Sequence, residues 1–535
     1  MKKYLLLVLL SCNILSEEKP NIIIILTDDL GWGDVSYHDG PIPTPNIDNL
    51  AAVGLEMNRF YSAPTCSPTR ASMLTGINSL TNGVIRPFAN PRTESFGMPL
   101  THKIMPEYLK EAGYQTALSG KWHLGMSTDE YLPSSRGFES TYGHMNGGID
   151  YFDHSFSGRL DWHRDNKPLV EEGYSTNLIA DEAIRIIKNK EKNKPLFLYI
   201  AFNAPHTPIQ AENDVINQLM HIKNIEERKY AANIIALDRE IGKIIKSIES
   251  NLDLKNTLIL FFSDNGPVFD VDPIAATIAP GLLDAKGNTM GLKGSKGSTY
   301  EGGIRVPAII YWKGVLEKSI SNQFFFSDDI LPTFLTAAGL NISNSKFTGT
   351  DRWDDLINNK ITMPKNVMTG NIIITDDRAL YNDNWKLFYR HNVFLDSEKV
   401  FELYDVNKDP YEQNELSEKH PEVFNSMKET FYKMPMVVHP PNINPTQMYL
   451  YGDQFPDNAR ITGSPWLDRE YEVKQIPSPF IQSIVFTWIL FLTFKQITIP
   501  IAISLLLVIG YLIKARRSSK PVSYTHLTLP TTPYV

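Results

Sequence analysis

Residues 21–35 read NIIIILTDDLGWGDV, and the fold class turns on this stretch. Asn21 to Leu26 is a short continuous apolar run, as expected of a strand buried on both faces. It ends in Asp28-Asp29 and a glycine-rich turn, so two carboxylates stand at the carboxyl end of that strand. In open α/β sheets that edge is where ligands bind. The pattern recurs twice. In NTLILFFSDNGPV, Leu258 to Phe262 runs into Asp264-Asn265-Gly266; in PLFLYIAFNAPHTP, Leu196 to Phe202 leads to His206. Helical patterns lie between, at Met105 to Gly113 and at Thr176 to Lys190. Strands alternating with helices predict an α/β fold with a large, mostly parallel sheet flanked by helices. After about Gly339 the texture shifts. Trp385 to Arg390 (WKLFYR) and Phe401 to Leu416 (FELYDVNKDPYEQNEL) predict a smaller antiparallel sheet followed by a turn and a helix. Frequent prolines from Met434 to Pro479 suit a chain wrapping a surface.

The 535 residues carry a net charge of −8. That argues against a nucleic-acid partner, which calls for a basic protein, but leaves room for an anionic substrate met by a local group of cations. The first residues, MKKYLLLVLLSCNILSEEKP, have the layout of a secretory signal peptide, taken as 1–18. LLSC also resembles a lipoprotein box, in which Cys12 would be lipidated. Phe480 to Ile513 is apolar except for Lys495 and a few hydroxyl or amide side chains, and basic residues follow. This predicts a membrane segment at 480–514, as one tilted crossing or a hairpin broken at Lys495. Residues 515–521 then form a cytoplasmic tail, with the main body outside, in an extracellular, periplasmic or lumenal space. Residues 522–535 resemble translated sequencing adapter and are given no structure. Between the ends lie a catalytic domain at 19–340 and a smaller C-terminal subdomain with a wrapping tail at 341–479.

Export invites disulfides, yet the chain has only Cys12 and Cys66. With Cys12 in the leader, Cys66 has no partner, so it is either buried and inert or chemically special. Asp28, Asp29, Asp264 and Asn265 offer only hard oxygen donors, which suit Ca2+ or Mg2+. No Cys/His cluster has zinc spacing. GKWHLG supplies Lys121 and His123, which point the same way if the segment is extended. NAPHTP supplies His206, and LKGSKGSTYEGGIRVP supplies Lys293, Lys296 and Arg305. Several cations beside a metal site form a pocket for sulfate or phosphate.

Residues 66–76, CSPTRASMLTG, resemble the signature of the type I sulfatases, members of the alkaline phosphatase-like superfamily. The Asp28-Asp29 strand end, GKWHLG, NAPH, SDNG, GSKGSTYEGGIRVP and LYDVNKDPYEQNEL resemble further segments of that family, in the same order. The resemblance implies that a maturation enzyme oxidises Cys66 to formylglycine, whose hydrate supplies the nucleophile for sulfate-ester hydrolysis. It implies one Ca2+ held by Asp28, Asp29, Asp264, Asn265 and the group at position 66. Arg70 and Lys121 would stabilise charge around the aldehyde hydrate, and His123 would take a proton. His206 and Lys296 would contact the sulfate and the leaving oxygen. Lys296 is preferred to Lys293 because it holds the family's position, five residues before Glu301. Arg136 to His154 (RGFESTYGHMNGGIDYFDH) resembles the arylsulfatase branch that includes the N-acetylgalactosamine-4-sulfatases, which implies a sulfated sugar or aryl ester as substrate. Tyr142, His144, Tyr151 and His154 either line a sugar subsite or pack the loop internally. The competing readings are a phosphoesterase of the same superfamily and a catalytically silent binder of sulfated glycans.

Overall fold

The computed structural model describes residues 19–436, apart from 89–96, 127, 157, 270–283, 344, 373–374 and 393–397. The leader at 1–18, most of the proline-rich tail, the apolar segment 480–514, the basic tail and residues 522–535 lie outside the described residues. Among the described residues no helix is long and apolar enough to cross a membrane. They all fall within one compact unit.

The opening run forms strand β1 (Asn21–Thr27), buried at every position. Side chains alternate across a strand. Ile22, Ile24 and Leu26 therefore enter the core on one face of the sheet, and Ile23 and Ile25 the core on the other. Two cores explain why the run is apolar without alternation. Further strands are β2 (Leu55–Met57), β3 (Gln115–Gly120), β4 (Ser140–Gly143), β5 (Leu196–Ala201), β6 (Thr257–Ser263) and β7 (Ala308–Tyr311). Five of them run parallel in the order β6, β1, β5, β3, β4, at the centre of a ten-stranded sheet. The predicted large parallel sheet is thus present, with antiparallel pairing toward its margins. β7 runs against β6 and β2, and His163–Arg164 runs against β4.

Helices α1 (Cys66–Thr75), α2 (Met105–Glu111), α3 (Ser175–Lys188) and α4 (Ile225–Asn251) matter most for the site. The two helical patterns read from sequence correspond to α2 and α3. α4 begins where the Asn224 carboxamide accepts from the backbone N–H groups of Glu226 and Glu227, a standard N-cap.

The predicted smaller sheet is a four-stranded antiparallel meander, Val367–Ile372, Thr375–Asn382, Trp385–Asn392 and Val400–Asp405. Helix Pro421–Lys433 follows it. A buried ionic network fastens this sheet to the main body. Lys386 Nζ lies 3.0 Å from Glu301 Oε1 and 2.8 Å from Glu412 Oε1, and the Tyr61 and Tyr381 hydroxyls also donate to Glu301. Glu301 begins the short helix Glu301–Ile304 that ends the loop carrying Lys296, so the small sheet braces that loop from behind.

Candidate active site

Parallel strands in register end at one edge, and four of them deliver the polar side chains. Leu26 of β1 lies opposite Ala201 of β5 and Phe262 of β6, and Ala201 lies opposite Gly120 of β3. The ladder continues just past the strands. Asp28 N–H donates to Ala204 O, Asp264 N–H to Thr27 O and Lys121 N–H to Ala201 O, at 3.1, 3.0 and 2.7 Å. Asp28-Asp29, Asp264-Asn265, Lys121 and the loop to His206 therefore converge because their strands are neighbours. Asp29 adopts a left-handed backbone, φ 68°, a conformation that Asp tolerates better than most residues.

Cys66 arrives from a different element. It is the first residue of α1, after Thr65 in extended conformation. Pro68 fits the first turn, where its missing N–H would have no helical partner. Gly76 closes the helix with φ 65°, the left-handed cap that glycine takes without strain. All ten residues of α1 are buried, so the segment is held by contacts on every side. The Thr69 hydroxyl accepts from Ala63 N–H, and Ser67 Oγ donates to His123 O. Gly297 N–H donates to Pro64 O, which ties the Lys296 loop to the approach of α1.

The cluster assembles around three carboxylates. Ligand atoms of Asp28, Asp29 and Asp264 lie within 4.8 Å of one another, and so do those of Asp28, Cys66 and His206. The two groups share Asp28, so they describe one site. Asn265 joins it by donating from Nδ2 to Asp29 Oδ1 at 2.6 Å. Asp28 Oδ1, Asp29 Oδ2 and Asn265 Oδ1 are buried with no hydrogen-bond partner among the described residues. A buried acceptor without a partner is costly. Three such oxygens on adjacent residues fit a hard divalent cation, with Asp264 at hand.

The predicted cations surround these acids. Arg70 is fully buried and donates to Asp264 Oδ2 through Nε and Nη2, at 3.0 and 2.8 Å. Lys121 pairs with Asp28 Oδ2. Lys296 Nζ is 2.6 Å from Asp29 Oδ1. Lys293 goes elsewhere, to the Tyr404 hydroxyl and Glu402. His206 Nε2 lies 3.8 Å from Asp29 Oδ2, and its Nδ1 donates to Thr207 O at 2.7 Å.

His123 corrects one expectation. Its φ of 56° breaks the extended geometry assumed for GKWHLG, so its direction comes from its contacts and not from strand alternation. Its Nε2 lies 3.1 Å from Phe88 O. A carbonyl only accepts, so in the neutral ring Nε2 carries the proton. Nδ1 is then a bare lone pair, with no partner among the described residues.

Burial and neighbouring charge set the proton affinities. Burial raises Asp28, but Lys121, His206 and Arg70 outweigh it and hold the carboxyl well below its ordinary value. Asp264 is pushed up to about 6, first by burial and then by the charge of Asp28. Burial and then Lys296 lower His206; burial, Lys121 and Arg70 lower His123. Cys66, only 2% exposed, has its thiol raised by burial despite Lys121 and Lys296.

Several supporting residues had not been singled out from the sequence. The Asp34 carboxylate accepts from Gly31 N–H, Asn288 N–H and the Tyr230 hydroxyl, bracing the turn after Asp29. Asp161 accepts from Met145 N–H, Asn146 N–H, Asn146 Nδ2 and His163 Nε2, all within 3.0 Å. It thereby fixes the loop carrying Gly147 and Gly148. A Cβ on Gly147 would stand 2.7 Å from His123 Cε1, and one on Gly148 would stand 3.1 Å from His206 Nδ1. The adjacent glycines were a visible signal, but nothing in the sequence says which rings lie over them.

The aromatic residues nearby pack the loop and do not line a sugar subsite. Tyr142, His144, Tyr151 and His154 are all buried. The Tyr142 hydroxyl donates to Glu171, that of Tyr151 donates to backbone carbonyls of Asn203 and His206, and His154 stacks on Trp162.

Comparison with known proteins adds the following. The family model described as Sulfatase matches residues 20–340. An uncharacterized sulfatase of Schizosaccharomyces pombe is 31% identical over 77% of this chain and 92% of its own length. Mouse arylsulfatase J is 28% identical over 85% and 82%, and human N-acetylgalactosamine-6-sulfatase is 32% identical over 60% and 63%. Among solved structures, Ps i-CgsB in complex with k-i-k-neocarrahexaose superposes with a TM-score of 0.70 at 29% identity, over 83% of this chain and 100% of that one.

Proposed function

The chain belongs to the sulfatase family and is an arylsulfatase-like sulfuric ester hydrolase; from that premise we propose that it cleaves the sulfate ester of a sulfated sugar with a nucleophile made from Cys66. In this reading Cys66 is converted to formylglycine, and one Ca2+ is held by Asp28, Asp29, Asp264, Asn265 and the group at position 66. The observation that carries it is the meeting of three buried oxygens without a hydrogen-bond partner among the described residues, on Asp28, Asp29 and Asn265, with Cys66 beside Asp28. The cation, when bound, would polarise the sulfate group as a Lewis acid.

The chain's own residues supply the rest. Arg70 and Lys121 hold the carboxylates and carry positive charge toward position 66. His123, with a bare Nδ1, is fitted to take a proton there. Lys296 reaches the cluster as an ammonium donor and His206 stands beside it, so the proton for the leaving oxygen falls to one of these two. Because every position from Cys66 to Thr75 is buried in the folded chain, a maturation enzyme would have to read the motif before folding. N-acetylgalactosamine-6-sulfatase and the neocarrahexaose complex support a sulfated carbohydrate substrate, without singling out the N-acetylgalactosamine-4-sulfatase branch. The leader at 1–18 and the apolar segment 480–514 would set the catalytic unit on the outer side of a membrane.

The direct test is turnover of matched aryl sulfate and aryl phosphate esters. We expect kcat/KM to favour the sulfate by roughly a hundredfold or more, a transition-state difference of about 2.7 kcal/mol. Equal turnover of the two esters would sink the assignment.

The histidine loop gives a second expected result. Gly147→Ala puts a methyl group against the His123 ring, and overpacking of that kind costs about 1–3 kcal/mol in displacement. Turnover of the aryl sulfate should fall at least about tenfold, with KM little changed and the fold intact by circular dichroism. Unchanged kcat would remove His123 from the proposed chemistry.

A further inference from the structure

Where β2 ends, the chain passes Asn58 and Arg59 on its way to Cys66. These two residues line a cavity of about 490 Å³ together with Arg305, Asn322, Asn384 and Asn407. That volume is within the range of ligand pockets, roughly 300–1,000 Å³. The rest of the lining among the described residues is apolar; none of them contributes a carboxylate, and none belongs to the cluster around Cys66. Two guanidinium groups and four carboxamides thus meet in a chain whose net charge is −8. This is a local concentration of positive charge and N–H donors.

The arginines are held from behind. Arg59 donates to Asn407 Oδ1 at 2.6 Å and lies 4.6 Å from the centre of the Phe324 ring. Arg305 donates to Asn58 Oδ1 at 2.6 Å and lies 4.4 Å from the centre of the Trp32 ring. Asn58 in turn donates to Asn322 Oδ1. Three of the four carboxamide oxygens are therefore spent on neighbours, which leaves donors in excess. Arg305 is only 8% exposed, and its Nε has no hydrogen-bond partner among the described residues. Among the described residues its Nη1 makes only a long contact, 3.9 Å, with Glu301. A buried guanidinium N–H of this kind calls for an acceptor. Sulfate and carboxylate oxygens match the guanidinium fork, and carboxamides match sugar hydroxyls.

We propose that this groove is a second carbohydrate site, taking a sugar residue that carries a sulfate or carboxylate group. Trp32, under Arg305, stands on the turn that begins at Asp28 and Asp29, so the groove is braced against the same turn as the catalytic cluster. The proposal rests on sulfated sugars being the substrate class.

The test uses the full chain carrying Cys66→Ala, so that no turnover occurs. Sulfated neocarrahexaose, a chondroitin sulfate hexasaccharide and their desulfated counterparts are titrated calorimetrically at constant ionic strength. Added singly, Arg59→Ala, which removes a charge-assisted donor, and Asn407→Asp, which sets a negative charge beside Arg59, should each weaken binding of a sulfated hexasaccharide at least about fivefold. Asn407→Asp keeps the side-chain shape and its tie to Arg59, so it reports even if Arg59→Ala folds poorly. In protein retaining Cys66, both variants should leave small aryl sulfate turnover within about twofold of the parent, since neither touches the cluster. Equal affinity in parent and variants, equal affinity for the desulfated sugars, or no binding of either sulfated probe by the parent would overturn the proposal. Loss of aryl sulfate turnover in the parent, with variant-sensitive binding intact, would instead count against the hydrolytic reading and leave the groove standing.

Discussion

Cys66→Ala is expected to reduce sulfate-ester turnover by at least about three orders of magnitude while the protein stays folded. The side chain is small and sits at the first position of α1, whose course is fixed by other contacts, including Thr69 to Ala63, Ser67 to His123 and Arg70 to Asp264. Removing one sulfur atom from that setting leaves a small void. Burial of the missing group accounts for about 1–2 kcal/mol of stability, too little to unfold a domain with two cores on one sheet. The chemistry has no substitute. Among the described residues Cys66 is the one thiol, and the nearest side chains are the carboxylates and cations already engaged with each other. Mass spectrometry of the peptide containing residue 66, on protein from the native host, is the companion measurement. An aldehyde in place of the thiol is the expected mass. A variant that retains more than about a tenth of parental turnover, or an intact cysteine in active protein, would refute the proposed nucleophile.

Removing the proposed divalent cation should have the next largest effect, by a charge argument. Asp28, Asp29 and Asp264 bring three negative charges to the cluster, and Arg70, Lys121 and Lys296 bring three positive ones. The protein groups alone therefore come close to neutrality. A bound Ca2+ would tip the site to a net positive charge, which a sulfate ester needs if it is to leave water. Chelation should lower turnover of an aryl sulfate roughly a hundredfold or more, and added Ca2+ should restore it. Stability should follow the cation less steeply, since each acid already has a cation on one of its two oxygens. Saturating Ca2+ at about a hundred times its Kd would add about 2.7 kcal/mol, read as a rise in Tm. Turnover within about twofold of the starting value in thoroughly chelated protein would exclude the proposed metal role.

The oxygen ligands of the cluster were legible in the chain because Asp28, Asp29, Asp264 and Asn265 follow the ends of unmistakable strands. IIIIL, LILFF and LFLYIA have no polar interruption, and a segment of that kind is stable only between two cores, which places its last residue at a sheet edge. The polar residues that follow then share that edge. Legibility failed where a side chain's setting depends on elements distant in sequence. His123 was read by strand alternation, but its backbone turns left-handed at φ 56°. Tyr142 and Tyr151 looked equally suited to a sugar subsite or to the core. Burial and the partners of their hydroxyls, Glu171 and the carbonyls of Asn203 and His206, settle them as packing. Asp161 drew no notice, as one acid among many, yet it organises the loop beneath both histidines.

Taken alone, the sequence determined which segments are doubly buried strands, that oxygen ligands and cations terminate them, and that the lone Cys66 stands in a sulfatase-type motif. Periodicity and residue chemistry are local properties, so they survive in one dimension. The motif position already preferred Lys296 to Lys293, and the tertiary structure added their partners, Asp29 for the first and Glu402 with Tyr404 for the second. That structure alone set Gly147 and Gly148 against His123 and His206, and gathered Arg59 and Arg305 in a groove whose described lining has no carboxylate. Those outcomes depend on which distant segments pack together, and packing distances of a few ångströms are fixed by the whole core and not by any one stretch of chain.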